Sequence, residues 1–511
     1  MIDFYDKLAE LGVQDILNHE PYVSPDFVGW TFVNNFLLEI VTASKIGKKV
    51  KVLVYGDYDV DGLMCAKIMQ DGLKQLGVEQ IDVYHYSERT HLLDTMAVQK
   101  AKLGHYDYFI VCDTGSSSMG LLNEVVSRGT KVIVLDHHVT EYPYEKFDDN
   151  IAIINTEIEN ALAGEPKFAL SAGALCYTVM RKFCEENNLP LYEPLAAYAT
   201  ISLYADCMNM ANKLNRAIYY EARKIPRENL PHLVTLFMNN YSNFGARFIG
   251  FWFAPRINAL FRSESFDVLN RLVFDEPSFN EEVALCEIVE NLYSRIRDLV
   301  KEIADIIVTD EYDHFVVGNL QSVEEFYSID EYKLYNYTGL VANMLSEKYG
   351  KASVVTCPCG GNEIKGSLRD TFSRDYLSLF QHFCNAGGHP PAFGIHIGAL
   401  DLDNFLNNLK YIDEYFPMDE VHNEPIILNM TGATPDEFLV EDIAMYNEFS
   451  GQYLPVVYIR KQIIGMREQK TKYNFKYPWG DYFIQSDYSL GFGSYVLLKP
   501  IRSLKTKLIV Q

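Results

Sequence analysis

The segment Gly56-Asp57-Tyr58-Asp59-Val60-Asp61-Gly62 sets three carboxylates on alternate positions directly after an apolar run. Like charges packed this closely repel one another, and burying them is costly unless a cation neutralises them. A calcium loop of the EF-hand type also opens on alternating acids, but it needs a bidentate Glu at its twelfth position, where counting from Asp57 places Ile68. Asp136-His137-His138 closes a second apolar run. Successive side chains on an extended chain point to opposite faces, so one imidazole can take a metal while the other reaches a phosphate or steadies a ligand. Asp113 opens a third cluster, Asp113-Thr114-Gly115-Ser116-Ser117-Ser118, whose hydroxyls suit either phosphate contact or a helix N-cap.

Strands must deliver these clusters to one place. Lys51 to Gly56 runs into Asp57, Tyr108 to Cys112 into Asp113, Lys131 to Leu135 into Asp136, and Ile151 to Ile154 into Asn155. Helix-like stretches separate them, which predicts an α/β fold with a parallel sheet and a ligand edge beyond the strands' carboxyl ends. From Phe279, the apolar residues Leu285, Val289, Leu292, Ile296, Leu299, Ile303 and Ile306 alternate spacings of four and three, predicting one long helix. It reads equally as a free connector or as a helix packed on a core. The chain therefore divides into a first domain over 1–278, a connecting helix over 279–306, a smaller α/β domain over 307–415 and a β-rich domain over 424–511.

A chain of 511 residues with 48% hydrophobic content has material for several cores. Its longest apolar runs are strand-length, no membrane span is expected, and Asp3, Asp6 and Glu10 stand where a secretion signal would carry positive charge. A cytoplasmic location is the expectation. Nine scattered cysteines read as reduced thiols, and Cys357-Pro-Cys359 lacks the second pair of a zinc finger. The net charge of −24 argues against indiscriminate nucleic-acid binding, so a phosphate substrate must meet local positive charge from metal ions or arginines.

In order, GDYDVDG, VCDTG, VLDHH and YADC resemble the four motifs of the DHH phosphoesterase superfamily. Within it the chain is most similar to RecJ-type single-strand exonucleases. Ser171-Ala172-Gly173, Pro255-Arg256-Ile257-Asn258-Ala259 with Arg262, Gly366-Ser367-Leu368-Arg369 and Gly387-Gly388-His389-Pro390-Pro391-Ala392-Phe393-Gly394 agree, and the likeness fades after residue 410. The resemblance implies two Mn²⁺ or Mg²⁺ ions, one held by Asp59, the other by Asp61, His137 and Asp206, with Asp113 bridging them. It implies supporting roles for Asp57 and Asp136, and a contact from His138 to the scissile phosphate. Carboxylate and imidazole donors without a thiolate suit those ions.

In the DHH-associated domain of the family, Gly387 and Gly388 let backbone approach a nucleotide, His389 faces the cleft, and Ser367 and Arg369 bind a terminal phosphate. Arg89 matches a further arginine for the 5′ phosphate, although Thr90-His91-Leu92-Leu93 replaces the family's Gly-Tyr-Gly run. Arg256, Asn258 and Arg262 serve either the DNA backbone or the interface between lobes. The likeness also implies an OB-like barrel at the C-terminus. There, Arg467 to Trp479 interleaves basic and aromatic residues, as a DNA platform would, yet Tyr473, Phe475 and Tyr477 share one strand face and equally suit a core. The implied function is exonucleolytic removal of nucleotides from single-stranded DNA in the 5′ to 3′ sense, in DNA repair and recombination, beside a single-stranded-DNA-binding protein or helicase. The rivals are hydrolysis of oligoribonucleotides or cyclic dinucleotides, and an inactive replication scaffold. A scaffold would not need the full set of acids that is present here.

Overall fold

The computed structural model describes residues 4–19, 21–84, 93–140, 149–165, 167–238, 244–275, 277–370, 376–389, 392–415, 425–430, 435–450, 454–464, 466, 468–470, 474–479, 481–487, 489–492, 494–501 and 507–510. Its first sheet comprises β1 (Lys51–Gly56), β2 (Gln80–Tyr84), β3 (Tyr108–Cys112), β4 (Lys131–Asp136) and β5 (Ile151–Asn155), all parallel, in the order β2-β1-β3-β4-β5. The four strands expected from the sequence, β1, β3, β4 and β5, are consecutive in it, with β5 at one edge. They are apolar throughout because both faces are covered, as in a parallel sheet flanked by helices. Val52, Val54, Ile110 and Ile133 face one helical layer, while Leu53, Tyr55, Phe109 and Val132 face the other. Edge strand β2 escaped the sequence reading because its residues are only half covered and interrupted by polar ones.

The predicted long helix is present as Phe279–Ile306, about 42 Å at the usual rise per residue. Ser278 and Glu281 form a capping box that fixes its start. It is packed at both ends: Val289, Leu285 and Leu292 join the first lobe's core, whereas Ile296, Leu299, Val300 and Ile303 join the second's. The second lobe is a six-stranded sheet of β6 (Thr309–Glu311), β7 (Phe315–Asn319), β8 (Ala352–Pro358), β9 (Glu363–Arg369), β10 (Asn385–His389) and β11 (Ala392–Gly398). Its order is β10-β11-β9-β8-β7-β6, antiparallel except for β7 and β8.

The C-terminal region is strand-rich, as expected, with seven strands in one mixed sheet and the helix Glu437–Phe449 packed on it. Val440, Tyr446, Trp479 and Leu498 belong to the same core as the first lobe, so this region is docked on it. Buried Glu448 strengthens the junction by accepting from Ala246 N at 3.1 Å and from the Tyr219 hydroxyl at 3.3 Å. Tyr477 and Trp479 are core residues, Phe475 is half-buried, and Tyr473 lies outside the described residues. Among the described residues, no helix is long and apolar enough to cross a membrane.

Candidate metal centre

Strand register explains why distant segments converge. Gly56 pairs with Cys112, Cys112 with Leu135, and Asp136 with Asn155. The next residues, Asp57, Asp113, Asp136 and Asn155, therefore stand in one row along the carboxyl edge of the sheet. After Asp57 the chain turns at once into the helix Val60–Gln75, so close that a Cβ on Gly62 would lie 2.4 Å from the Asp57 backbone. Asp59 caps that helix, its Oδ1 accepting from Gly62 N at 3.0 Å, and remains exposed to the cleft. Asp61 falls in the first turn and points inward.

Asp61 is held from three sides. It accepts from Ala172 N at 2.9 Å and Gly173 N at 2.8 Å, at the start of the helix Ala172–Glu186, and from the Ser202 hydroxyl. Ser202 is also bonded to Ser171, the N-cap of the Ala172–Glu186 helix. Ser202 sits one turn before Asp206, at the end of the helix Leu195–Ala205, so the same helix orients Asp61 and supplies Asp206. Ser202 carries no signal in the sequence, since a serine in an apolar helix is usually satisfied locally.

The two histidines differ in depth but do not point to opposite faces: His137 turns inward with its side chain 6% exposed and His138 lies at the rim with its side chain 33% exposed, yet their rings stand edge to face 4.7 Å apart, because the strand ends at Asp136 and its alternation stops there. His137 Nε2 lies 3.2 Å from Asp113 Oδ1, 3.7 Å from Asp206 Oδ2 and 3.9 Å from Asp61 Oδ2. Asp136 Oδ1 instead accepts from His137 N at 2.8 Å, His138 N at 3.1 Å and His138 Nδ1 at 2.9 Å. Its Oδ2 accepts from Ser116 N at 3.1 Å. Asp136 thus organises the loop and fixes the His138 ring. Asn155 ties the row together through Ser116 Oγ at 2.9 Å and His138 O at 3.0 Å.

Burial raises the Asp57 and Asp61 carboxyls to about 7, with added repulsion from Asp59 on Asp57, and from Asp206 and Asp59 on Asp61. Poor hydration within the cleft and the Asp206 charge raise Asp59 although its side chain opens to solvent, while burial followed by the charges of Asp61, Asp59 and Asp57 pushes Asp113 well up. Asp136 goes the other way: burial alone would raise it, but the His138 hydrogen bond and both imidazoles outweigh that and hold it low. Burial lowers His138, yet its Asp136 partner lifts it to about 9. Asp113 adopts a left-handed backbone, φ 64°, which costs a non-glycine residue on the order of 1 kcal/mol. Asp57 Oδ1 and Asp113 Oδ1 are buried and accept no hydrogen bond among the described residues.

This donor set fits divalent cations. Two groups of ligand atoms, Asp61, His137 and Asp206, and Asp113, His137 and His138, each lie within 4.8 Å of one another. Mg²⁺ in an octahedral shell at about 2.1 Å sets adjacent donors about 3 Å apart, close to the His137–Asp113 separation. Asp59 lies outside both groups.

Across the cleft, Ser367 and Arg369 stand at the end of β9. Ser367 Oγ is 2.9 Å from Thr338 Oγ1, in the first turn of the helix Thr338–Tyr349. Arg369 donates to Leu368 O at 2.7 Å and packs so close to Gly339 that a Cβ there would lie 2.6 Å from its guanidinium. Its charge is felt by Cys207, beside Asp206, across the space between the lobes. Thr338 and Gly339 were missed by sequence reading, although a small residue pair opening a helix is a recognisable anion cradle. Gly387 pairs with Gly394, and Gly394 with Ser367, giving a row of bare backbone beside the pocket. Gly388 has φ 135°. The His389 side chain and all of Arg89 lie outside the described residues.

Arg256 is directed elsewhere. It is 3% exposed, bonded to Glu290 of the long helix, and sandwiched between Trp252 and Tyr293 with its Cζ 3.4 and 4.4 Å from their ring centres. Of its two expected uses, these contacts serve the junction of the helix Ala254–Arg262 with the long helix. Asn258 is half-buried on the same helix. Arg262, also half-buried, accepts through its carbonyl from Asn336 Nδ2 at 3.1 Å.

Residues 51–209 match the model of the DHH family, N-terminal domain. The chain is 25% identical over 401 residues to the single-stranded-DNA-specific exonuclease RecJ of Bacillus subtilis, covering 74% of this chain and 48% of that protein. It is 22% identical over 421 residues to RecJ of Haemophilus influenzae, covering 76% and 71%. The chain thus spans about half the length of the first of these relatives. The crystal structure of RecJ in complex with Mn²⁺ from Thermus thermophilus superposes with a TM-score of 0.71 at 17% identity, covering 99% of this chain and 74% of that one.

Proposed function

We propose that this chain, a DHH-domain protein with the RecJ fold, is a two-metal phosphodiesterase that removes nucleotides from single-stranded DNA, working from the 5′ end. The observation that carries this reading is the row of buried acids with His137 turned in among them, assembled from four separate segments, in which carboxylates outnumber the one charged imidazole, His138, among the described residues. Asp61, His137 and Asp206 would hold one ion, Asp59 another, and Asp113 both; the curated relatives are single-strand exonucleases, and the T. thermophilus neighbour was crystallised with Mn²⁺. Bound there, the ions supply Lewis acidity toward phosphate oxygens and lower the pKa of water.

The protein's own groups do the rest. Asp136 keeps His138 charged at neutral pH and aimed into the cleft, where the imidazolium can donate to a phosphate oxygen. Asp57, whose Oδ1 has no other partner, steadies water or ligands beneath the site. Ser367, Arg369 and the first turn of the Thr338 helix receive the strand's terminal phosphate, while the Gly387 and Gly394 backbone leaves room for the sugar. With the pocket across the cleft from the acids, the end of the strand is gripped close to the bond that is cut, which favours release of short products.

The test is digestion of single-stranded DNA with one end or the other blocked, with Mn²⁺ and with chelator, beside a dinucleotide. Expected is metal-dependent release of short products that a 5′ block prevents. Cleavage of the dinucleotide alone, or cleavage unchanged in Asp113→Ala, overturns the reading.

A further inference from the structure

Cys357-Pro-Cys359 has no place in the proposed chemistry, and the structure separates its two thiols. Cys357 is fully buried in the core of the second lobe. Cys359 lies just past the end of β8, half-covered, where the chain reverses through three residues with left-handed backbone, Gly360, Gly361 and Asn362. The turn closes through Cys359 N donating to Glu363 O at 3.0 Å and Glu363 N to Gly360 O at 3.0 Å. Glu363 starts β9 and pairs with Gly398 of β11, so His396, two residues before Gly398, is its diagonal neighbour on the same face of the sheet. His396 Nε2 lies 3.1 Å from a Glu363 carboxylate oxygen, and the Cys359 sulfur, the Glu363 oxygen and the His396 nitrogen all fall within 4.8 Å of one another.

We infer that Cys359, Glu363 and His396 form a second, independent metal site, selective for Zn²⁺ over the hard ions of the acidic row. A thiolate, an imidazole and a carboxylate are the usual zinc donors, and a thiolate disfavours Mn²⁺ and Mg²⁺. Three protein ligands leave a fourth position, which faces solvent because Glu363 and His396 remain 57% and 41% exposed at their side chains. A tetrahedral ion needs its donors closer than 4.8 Å, a contraction that side-chain rotation at an exposed turn can supply. The site lies at the opposite end of β9 from Arg369, about 20 Å away at the usual strand rise. It would staple the 359–363 turn to β11, the strand that pairs Asn385 to Gly387 of the glycine strand. The ion thereby braces the sheet that carries the phosphate pocket without touching the pocket.

The experiment titrates the full chain with Co²⁺ as a spectroscopic stand-in for zinc, under a reductant that does not bind metal. Only thiolate ligation gives a strong near-ultraviolet charge-transfer band, and the acidic row has no sulfur ligand. The expected result is a band in the wild type and in Asp113→Asn, displaced by Zn²⁺, lost in Cys359→Ser, and requiring about tenfold or more Co²⁺ in His396→Ala, since even supporting residues of metal sites cost that much. No band in the wild type, a band that survives Cys359→Ser, or an affinity that His396→Ala leaves unchanged overturns the site. Metal-dependent cleavage is read separately, so failure here leaves the phosphodiesterase reading standing, and the converse holds too.

Discussion

Titrating Mn²⁺ into the metal-free protein should expel protons, in a number set by the raised carboxyls. Asp57 and Asp61 both titrate at about 7, so at pH 7 each is about half protonated and the pair gives up about one proton on binding a cation. At pH 8 the pair releases about 0.2 protons, and at pH 6 about 1.8, by the same arithmetic. Asp113, pushed well above the usual carboxylate range by burial and its acidic neighbours, adds to that release. Calorimetric titration in two buffers of different ionisation heat measures that number directly. The linkage has a sign for stability as well. A carboxyl raised in the folded state stabilises the metal-free fold fully below its unfolded pKa of about 4, and that contribution is lost as pH rises through about 7. Metal-free protein should therefore lose stability between pH 5 and 8 by this mechanism, and Mn²⁺ should abolish the slope. Equal heats in the two buffers at pH 7, meaning no proton release, would refute the electrostatic reasoning.

Asp113→Asn should release fewer protons on binding Mn²⁺, melt higher than the metal-free wild type because a buried carboxyl crowded by other acids is gone, and cut no DNA. Ser202→Ala removes the hydroxyl that steadies Asp61 and should weaken Mn²⁺ binding about 10- to 100-fold by calorimetry, with Tm little changed. Gly339→Ala should be neutral or slightly stabilising, since alanine favours a helix by about 1 kcal/mol and its Cβ would displace the flexible end of Arg369 while meeting Ser367 Oγ at an ordinary 3.4 Å. Yet it should erase any preference for 5′-phosphorylated over 5′-hydroxyl strands while leaving metal affinity intact. Arg256→Ala breaks a stacked pair with Glu290 and should cost about 2–4 kcal/mol in denaturant melts, with cleavage per folded molecule unaffected. A selective loss of DNA affinity instead would return Arg256 to the substrate.

The acidic row was legible because parallel strands covered on both faces are written as continuous apolar runs, and each of these four ends in a residue that breaks the run with polarity. Residue types then pointed to candidate donors, whereas alternation along the chain misjudged His137 and His138, whose rings lie 4.7 Å apart because the strand ends before them. Strand β2 was not legible, since an edge strand needs no such run. Ser202 and Gly339 were hidden for another reason: one acts through a hydrogen bond across 141 residues, the other through the absence of a side chain. Arg256 shows the limit of motif reading, because a guanidinium that braces two helices and one that grips phosphate are the same letter. The two cysteines of the Cys-Pro-Cys segment look alike in sequence, but Cys357 lies within β8 under the second lobe's core while Cys359 lies past the strand's end, half-covered and near His396, 37 positions away.

Everything in the proposed chemistry depends on cations occupying the space among the four segments. The direct measurement is anomalous scattering at the manganese edge from crystals grown with Mn²⁺. The account predicts two adjacent peaks enclosed by Asp59, Asp61, Asp113, His137 and Asp206, with Asp113 touching both. Crystals that diffract well yet show no manganese there, or only one ion that Asp113 does not contact, would contradict it.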